Sequence, residues 1–541
     1  MRRAHKLLPL LSLAAALLAC NTLRQLTTLE GPEDKATDAF LSGTTPALPP
    51  STPVVPASTV VPGATPSAPT APAPTLPAAF DDFDQFRAAM RPEFAGDVDQ
   101  FPDATRYVID VTVQFDGGGG ATLTGRERLR YTNQQDFALG DVYLMLWPNE
   151  GFQYLSRMTL GSVAVNGIEI QPALEHDGLA ARLALAAPLE PGASLEIAAE
   201  FRIEALPGID SEAGRFGLTR GALLAPTFYP LVPRIVGGDW QTIPAPRGGD
   251  TTNSDTALYV WRVTAPVGHA VVGTGTVVDS TQSGGTQTLT LVSGPMRDLA
   301  LVVGPLEHSQ RAVDGITLNA YVLADHAEYA DDMLDYAEDQ IATLQEKVGP
   351  YPFNELDLVD APGAFGGIEY PGAVFIGVVD GGDFFEIATV HEVGHQWFYS
   401  LIGDDQLLEP WLDEAAATYT EVLYTENVKG ERAAQRLLDF FWDDLGFISQ
   451  PEQPIGRPVS EYTFGAYGTI VYSKGALFFD ALRRELGDET FFEFLRGYYA
   501  AHRYGFVTAS DFQAAAEQTC ACELDDLFDL WVYKGGRVAK P

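Results

Sequence analysis

Two histidines four residues apart, with a glutamate beside the first, stand in the stretch HEVGHQWF from His391 to Phe398. The chain holds only eight histidines, so this pairing calls for a chemical reading. Residues i and i+4 of a helix lie on one face about one turn apart, so His391 and His395 can reach one ion together. Glu392 is then placed to take a proton from a water that the ion polarises. The alternative is a structural helix whose imidazoles pair with neighbouring carboxylates. A catalytic zinc usually takes three protein ligands and leaves a further position for water, so a third donor decides between the two. Downstream, EPWLDEAAATYTE reads as a second helix, and its Glu414 follows His395 with 18 residues between. A helix, a loop and a second helix returning antiparallel would bring Glu414 to the same ion.

The HExxH pattern, the 18-residue interval and the string WLDE resemble the gluzincin aminopeptidases, the aminopeptidase N and leukotriene-hydrolase family. That family commonly has WLNE, so Asp413 stands where asparagine is usual. GAFGGIEYPG precedes the histidines, and its GGIEY is similar to the family's GAMEN motif, with Ile368 for Met and Tyr370 for Asn. The resemblance implies that Glu369 binds a substrate's free α-amino group and that the backbone at Gly366 and Gly367 lines the peptide. Glycines permit close backbone approach, and a fixed carboxylate can hold an ammonium through charge-assisted hydrogen bonds. Read alone, GGIEYPG is equally a plain turn before a strand. VYSKGALFF is similar to the family's Y-x-K-G-A, which implies that Tyr472 donates a hydrogen bond to the tetrahedral intermediate. With 21 tyrosines in the chain, a core position is the plain alternative for Tyr472. Together these imply one Zn²⁺ held by His391, His395 and Glu414, with Glu392 as general base and proton donor to the leaving amine. The zinc and Tyr472 would stabilise the oxyanion. The family draws a second amine-binding side chain from its N-terminal domain, and APTFYP around Pro226 is the neighbourhood expected to supply it.

The elements that must position these residues follow from composition and pattern. At 541 residues, with 46% hydrophobic and 20% charged, the chain is globular and longer than one domain usually needs. Its net charge of −39 argues against nucleic acid as a partner, because phosphate binding needs a basic face. Residues 1–19 read as a signal peptide: MRRAHK is a basic head, and the apolar run after it is too short to span a bilayer. LLAC then resembles a bacterial lipobox, which implies a lipid on Cys20; the alternative is a secreted protein cut elsewhere. Residues 20–42 follow as the lipidated N-terminus, and 43–78 are a Pro, Thr and Ala-rich stalk with no charge and no aromatic residue. Residues 79–103 read as a short helical connection.

From 104 to 305 the pattern is β. In RYVIDVTVQF the odd positions Tyr107, Ile109, Val111, Val113 and Phe115 are apolar, so one face is expected to be buried. ATLTGRERLRYTN reads as the returning strand, and Asn166-Gly167 between two short alternating runs signals a hairpin. From about 306 to 541 helices are expected to dominate, with EYADDMLDYAEDQIATLQEKVG the clearest and VTASDFQAAAEQ opened by a Ser/Asp cap. The fold class is thus multidomain α+β. The resemblance makes the first part an all-β, saddle-like sheet domain and the second a thermolysin-like, mainly α catalytic domain. Cys520 and Cys522 have one residue between them, too few for the usual metal spacing and unfavourable for a disulfide, so they are expected as buried small residues. The acidic run Asp380–Asp383 lacks the ordered alternation of a calcium loop and reads as a solvated turn. The remaining histidines lack paired spacing.

The function expected is a membrane-anchored, extracytoplasmic zinc aminopeptidase acting on peptides, with Cys20 as the membrane anchor and no nucleic-acid partner. Longer family members continue into a β-sandwich and a large helical domain, whereas this sequence stops at Pro541. That leaves two alternatives: an endopeptidase with a more open site, or a surface protein that binds peptides on the same fold without turnover.

Overall fold

The computed structural model describes residues 80–541 except 152–153, 209–214, 247–248, 251–252, 362–365 and 379–381. Cys20, the stalk and part of the Asp380–Asp383 turn lie outside the described residues. Strict alternation builds the first half. Ser194–Ala205 alternates exposed and buried at every position, as a strand with one wetted face must. It pairs antiparallel with Ala121–Thr132, which pairs in turn with Arg106–Phe115, and all three belong to an eight-stranded sheet. Asn166 and Gly167 both take left-handed backbone (φ 49° and 77°) and join Ser156–Val165 to Ile168–Ile170 as a two-residue hairpin. In Arg106–Phe115 the expected face is buried from Tyr107 to Val113, but Arg106 and Val108 on the other face are buried as well. The preceding segment covers them. The Arg106 guanidinium lies 4.7 Å from the Phe83 ring centroid and donates to the Phe80 carbonyl at 3.1 Å.

A three-stranded and a four-stranded sheet share one core with the large sheet, packing Val142, Leu183, Leu223 and Leu301 against Tyr107, Leu123 and Phe201. The other face of the four-stranded sheet presents Leu224, Val272 and Val302 to Val359, Ile368 and Phe375 of the second half. The β-rich part therefore presses directly on the strand that carries the GGIEY string.

Helices were expected from about residue 306. Instead Leu306–Val313 and Ile316–Leu323 form a hairpin that opens a five-stranded mixed sheet, completed by Glu355–Asp360, Ala373–Ile376 and Gly367–Ile368. Its turn is Asp314-Gly315, with φ 48° and 81°, the same kind of signal as Asn166-Gly167. Helices then dominate: Ala330–Lys347, Asp383–Gly394, Trp411–Lys429, Glu431–Leu445, Gly475–Leu486, Asp488–His502 and Ala509–Cys520. The architecture is a β-rich N-terminal domain followed by a mainly helical domain.

Two local expectations change. The cap of Ala509–Cys520 is Thr508, which exchanges side-chain and backbone hydrogen bonds with Asp511 in a capping box. Cys520 and Cys522 are not separate buried thiols: they form a disulfide with Cα atoms 5.2 Å apart, and Cys522 is exposed. Ala521 between them ends the helix in left-handed backbone (φ 51°, ψ 41°), which lets the two side chains meet despite the short spacing. Among the described residues, no helix is long and apolar enough to cross a membrane.

Candidate active site

The histidine helix, Asp383–Gly394, ends with His395 as its C-cap at helical backbone angles (φ −65°, ψ −14°). His391 and His395 therefore share a face, and their Nε2 atoms lie 3.1 Å apart. The apolar pattern favours helix beyond this point, yet the chain leaves it here, and Tyr399 adopts φ 110°, an outlier for a bulky residue. The buried Arg297 holds that turn, its Nε donating to the Tyr399 carbonyl at 2.9 Å.

The glutamate helix, Trp411–Lys429, crosses the histidine helix at Gly394, where a Cβ would stand 2.4 Å from Thr420 Oγ1. This close crossing puts Glu414 Oε2 3.3 Å from Nε2 of both histidines. Gln340 ties the crossing from a third helix, donating from Nε2 to the Val390 carbonyl (3.1 Å) and to Thr420 Oγ1 (2.8 Å). The three donors are buried, and their edges of 3.1–3.3 Å can be compared with those of a tetrahedral zinc site. With bonds of about 2.0–2.1 Å, such a site has edges of about 3.3–3.4 Å, so the residues fit a four-coordinate ion with one corner left by the protein. The orientation is secured on the far side of each ring. His391 Nδ1 meets Glu421 Oε1 at 2.9 Å, and His395 Nδ1 meets the Phe398 carbonyl at 3.1 Å, which leaves both Nε2 atoms for the ion. Glu421 lies seven residues after Glu414, two turns along the same helix face, a spacing that could have revealed it.

Glu392 is buried and neither carboxylate oxygen has a hydrogen-bond partner. With no cation at the three donors, burial pushes its carboxyl up to about 8 with the two imidazoles opposing the rise, and a divalent ion there would draw it back toward the ionised form. Burial likewise works against an ionised Glu414, but hydrogen bonds from His391 and His395 hold it well below the usual carboxylate range. With no cation bound, burial opposes charge on His395 while Glu369 and Glu414 raise its imidazole to about 10, and an ion taking Nε2 would displace that proton.

Gly367 runs directly against the proposed base: a Cβ there would stand 2.2 Å from Glu392 Oε1. Its strand, Gly367–Ile368, pairs antiparallel with Ala373–Ile376, and the carbonyl of Gly366 accepts from Gly377 N at 2.8 Å. Gln396 fastens the following turn, accepting from Gly372 N at 2.9 Å and donating to the Tyr370 carbonyl at 3.3 Å. Glu369 is buried; its Oε1 accepts from Gln406 Nε2 at 2.7 Å and its Oε2 has no partner. Tyr472 sits in a π-helical turn, Gly468–Lys474, a local widening common at functional sites. Its hydroxyl donates to Glu414 Oε1 and its ring stacks on His391 with centroids 5.8 Å apart. The fold thus brings His391, Glu392, His395, Glu414, Glu369, Gly366, Gly367 and Tyr472 to one place.

Other groups arrive from the β-rich part without any signal in their local sequence. Asp250 pairs with the buried Arg215 at 2.6 Å, and its carboxylate lies close enough to Glu414 for the two charges to interact. The APTFYP neighbourhood, expected to supply a second amine contact, has its polar groups committed elsewhere. Thr227 Oγ1 donates to Asp298 Oδ2 (2.5 Å) and the Tyr229 hydroxyl to that of Tyr259 (2.9 Å). Of the remaining described histidines, His326 pairs with Asp360 at 2.7 Å and His308 meets Asn319 Oδ1 at 2.8 Å. Among the described residues, the donor groups close enough to share an ion are His391–His395–Glu414 and Glu369–His395–Asp413.

Residues 383–531 match the model of the peptidase family M1 domain. The matched segment contains all three metal donors, Glu392 and Tyr472, while Glu369 and its glycines precede it. With the ligand geometry it makes the centre a site for a single zinc ion. Aminopeptidase N of Streptomyces lividans is 28% identical over 42% of the chain and 29% of the relative, and aminopeptidase B of Rattus norvegicus 26% over 32% and 29%. The chain thus spans less than a third of the length of these curated relatives. The likeness to the M1 zinc metallopeptidase of Deinococcus radiodurans is wider: it covers 81% of this chain and 95% of that one, at TM-score 0.62 and 20% identity. A mutant of the Deinococcus enzyme bound to a Tyr-Ser-Ala substrate has the same fold (TM-score 0.59, 21% identity, 81% and 95% covered). At this identity the likeness shows a shared fold across both the β-rich and the mainly helical parts.

Proposed function

We propose that this chain is a zinc aminopeptidase that releases single residues from the free N-termini of peptides. The observation that carries the reading is the juxtaposition, in one buried site, of three zinc donors, an unpartnered Glu392 and a Glu369 with one unpartnered oxygen. His391, His395 and Glu414 would hold the zinc, which would supply Lewis-acid polarisation of water and of the scissile carbonyl. Glu392, with no competing hydrogen bond, takes the proton from the attacking water and returns it to the leaving amine. Glu369 offers its free Oε2 to the substrate's ammonium, which sets the cut at the first peptide bond. Tyr472 turns its hydroxyl from Glu414 to the oxyanion as negative charge develops there. The relatives named aminopeptidase N and aminopeptidase B, and the Deinococcus mutant bound to a tripeptide, support a peptide substrate.

The location proposed is extracytoplasmic, with a lipid on Cys20 holding the body at the membrane through the residue 43–78 stalk. The apolar run directly before that cysteine supports it. Mass spectrometry of the mature N-terminus tests this, and an unmodified N-terminus at another residue would refute it. The activity is tested with Glu392→Gln, which should keep one zinc per chain and lose about 10²–10⁴ in kcat on aminoacyl fluorogenic amides. Turnover at the unsubstituted rate would sink the assignment.

A further inference from the structure

We infer that Gln406 is a positioning residue that spaces two buried carboxylates, Glu369 and Asp413, into one receptor for the substrate's terminal ammonium. The inference rests on the aminopeptidase reading above. Gln406 lies in the loop between the histidine and glutamate helices and is 2% exposed. Its Nε2 carries two N–H groups, and both go to acids: Glu369 Oε1 at 2.7 Å and Asp413 Oδ2 at 2.9 Å. One amide nitrogen therefore holds together two groups of like charge that would otherwise repel. Each carboxylate keeps acceptor capacity. Glu369 Oε2 is buried with no partner, and of the Asp413 oxygens Oδ1 accepts only a backbone N–H, from Glu414 at 2.7 Å, among its hydrogen bonds.

Oxygens of Glu369 and Asp413 and a ring nitrogen of His395 lie within 4.8 Å of one another. An ammonium with N–H···O contacts of about 2.8 Å can bridge two oxygens up to about 5 Å apart, so the separation of these acids is one that it can span. The receptor also abuts a zinc donor, His395, where an α-amine must lie if the first peptide bond is the one attacked. The second charge is this chain's own, since Asp413 stands where the resembling aminopeptidases commonly carry asparagine. A neutral N-acetyl group would leave both acids buried without a counter-charge, so the pair discriminates by charge as well as shape.

The full chain, Gln406→Leu and Asp413→Asn are assayed on leucyl-7-amido-4-methylcoumarin and its N-acetyl form, with zinc per chain measured alongside. The unsubstituted protein should cleave only the free-amine substrate. Asp413→Asn, nearly isosteric, should raise KM about tenfold with kcat within about threefold, as expected when a charge-assisted contact is lost from binding. Gln406→Leu should raise KM at least as much and erode the preference for the free amine, with one zinc retained. Unchanged KM in Asp413→Asn overturns the inference, and this variant decides alone if Gln406→Leu does not fold. A lower kcat with KM and the free-amine preference intact assigns a merely structural role and overturns it too. Equal cleavage of both substrates by the unsubstituted protein would instead remove the aminopeptidase reading itself.

Discussion

Replacing Gly367 by alanine tests whether the GGIEY strand and the proposed base form one device. Gly367 has no left-handed backbone, so an alanine meets no conformational penalty and only space is at issue. Its Cβ would stand 2.2, 2.4 and 2.5 Å from Oε1, Cγ and Cδ of Glu392. Ordinary carbon contacts lie near 3.5 Å, so about 1 Å of relief is required. The strand cannot easily yield, being paired to Ala373–Ile376 on one side and fastened through Gln396 on the other. Glu392 can yield, because neither oxygen is held by a hydrogen bond. Displacing a catalytic group by about 1 Å costs about 10²-fold. Gly367→Ala should therefore lower kcat on an aminoacyl coumarin amide by about two orders of magnitude with one zinc still bound per chain. Steady-state kinetics with zinc measured by plasma emission gives the answer. A variant within about threefold of the unsubstituted rate would refute the reasoning. Loss of zinc together with activity would also refute it, because the added methyl would then be acting on the metal donors.

Glu421→Gln removes the carboxylate that meets His391 Nδ1, and zinc affinity should fall about 10–100-fold in competition with a chromophoric chelator. Unchanged affinity would show that the orientation of His391 is set elsewhere. In the β-rich part, Glu127 is buried with both oxygens unpartnered, so burial pushes its carboxyl well above the usual range near 4.5. The folded chain then keeps this proton to higher pH than the unfolded chain. The stability it contributes is complete below pH 4.5 and is lost as pH rises toward the folded value. Each tenfold difference in proton affinity is worth about 1.4 kcal/mol, so Glu127→Gln should raise Tm by roughly 2–4 °C at pH 8 and converge with the unsubstituted protein near pH 4. Equal melting temperatures at both pH values would contradict this.

Signals written in short intervals were legible before any fold was known. Four-residue spacing put His391 and His395 on one face, because a helix has a fixed pitch. Alternation exposed the strands, and Asn166-Gly167 its hairpin, because strand and turn geometry are equally local. The motif resemblance placed Glu414, Glu369, Gly366, Gly367 and Tyr472 in one site across more than a hundred residues of chain, and the fold brings them together. Other local signals are ambiguous by themselves. Helical periodicity from about residue 306 overshadows the Asp314-Gly315 hairpin, and the one-residue spacing of Cys520 and Cys522 argues against a bond that a left-handed Ala521 permits.

Tertiary structure alone decided what surrounds the site. Gln340 pins the crossing of two helices, Gln406 holds two acids together, and Arg297 keeps the turn at Tyr399. Asp250, paired with Arg215, brings its charge near Glu414 from the β-rich part. None has a spacing to read, since each acts across a contact made only when distant segments pack. Glutamine and arginine side chains are also common on surfaces, so their residue type carries no sign of the role. The sequence by itself determined which atoms can bind and react; packing decided how they are oriented, shielded from water and paired.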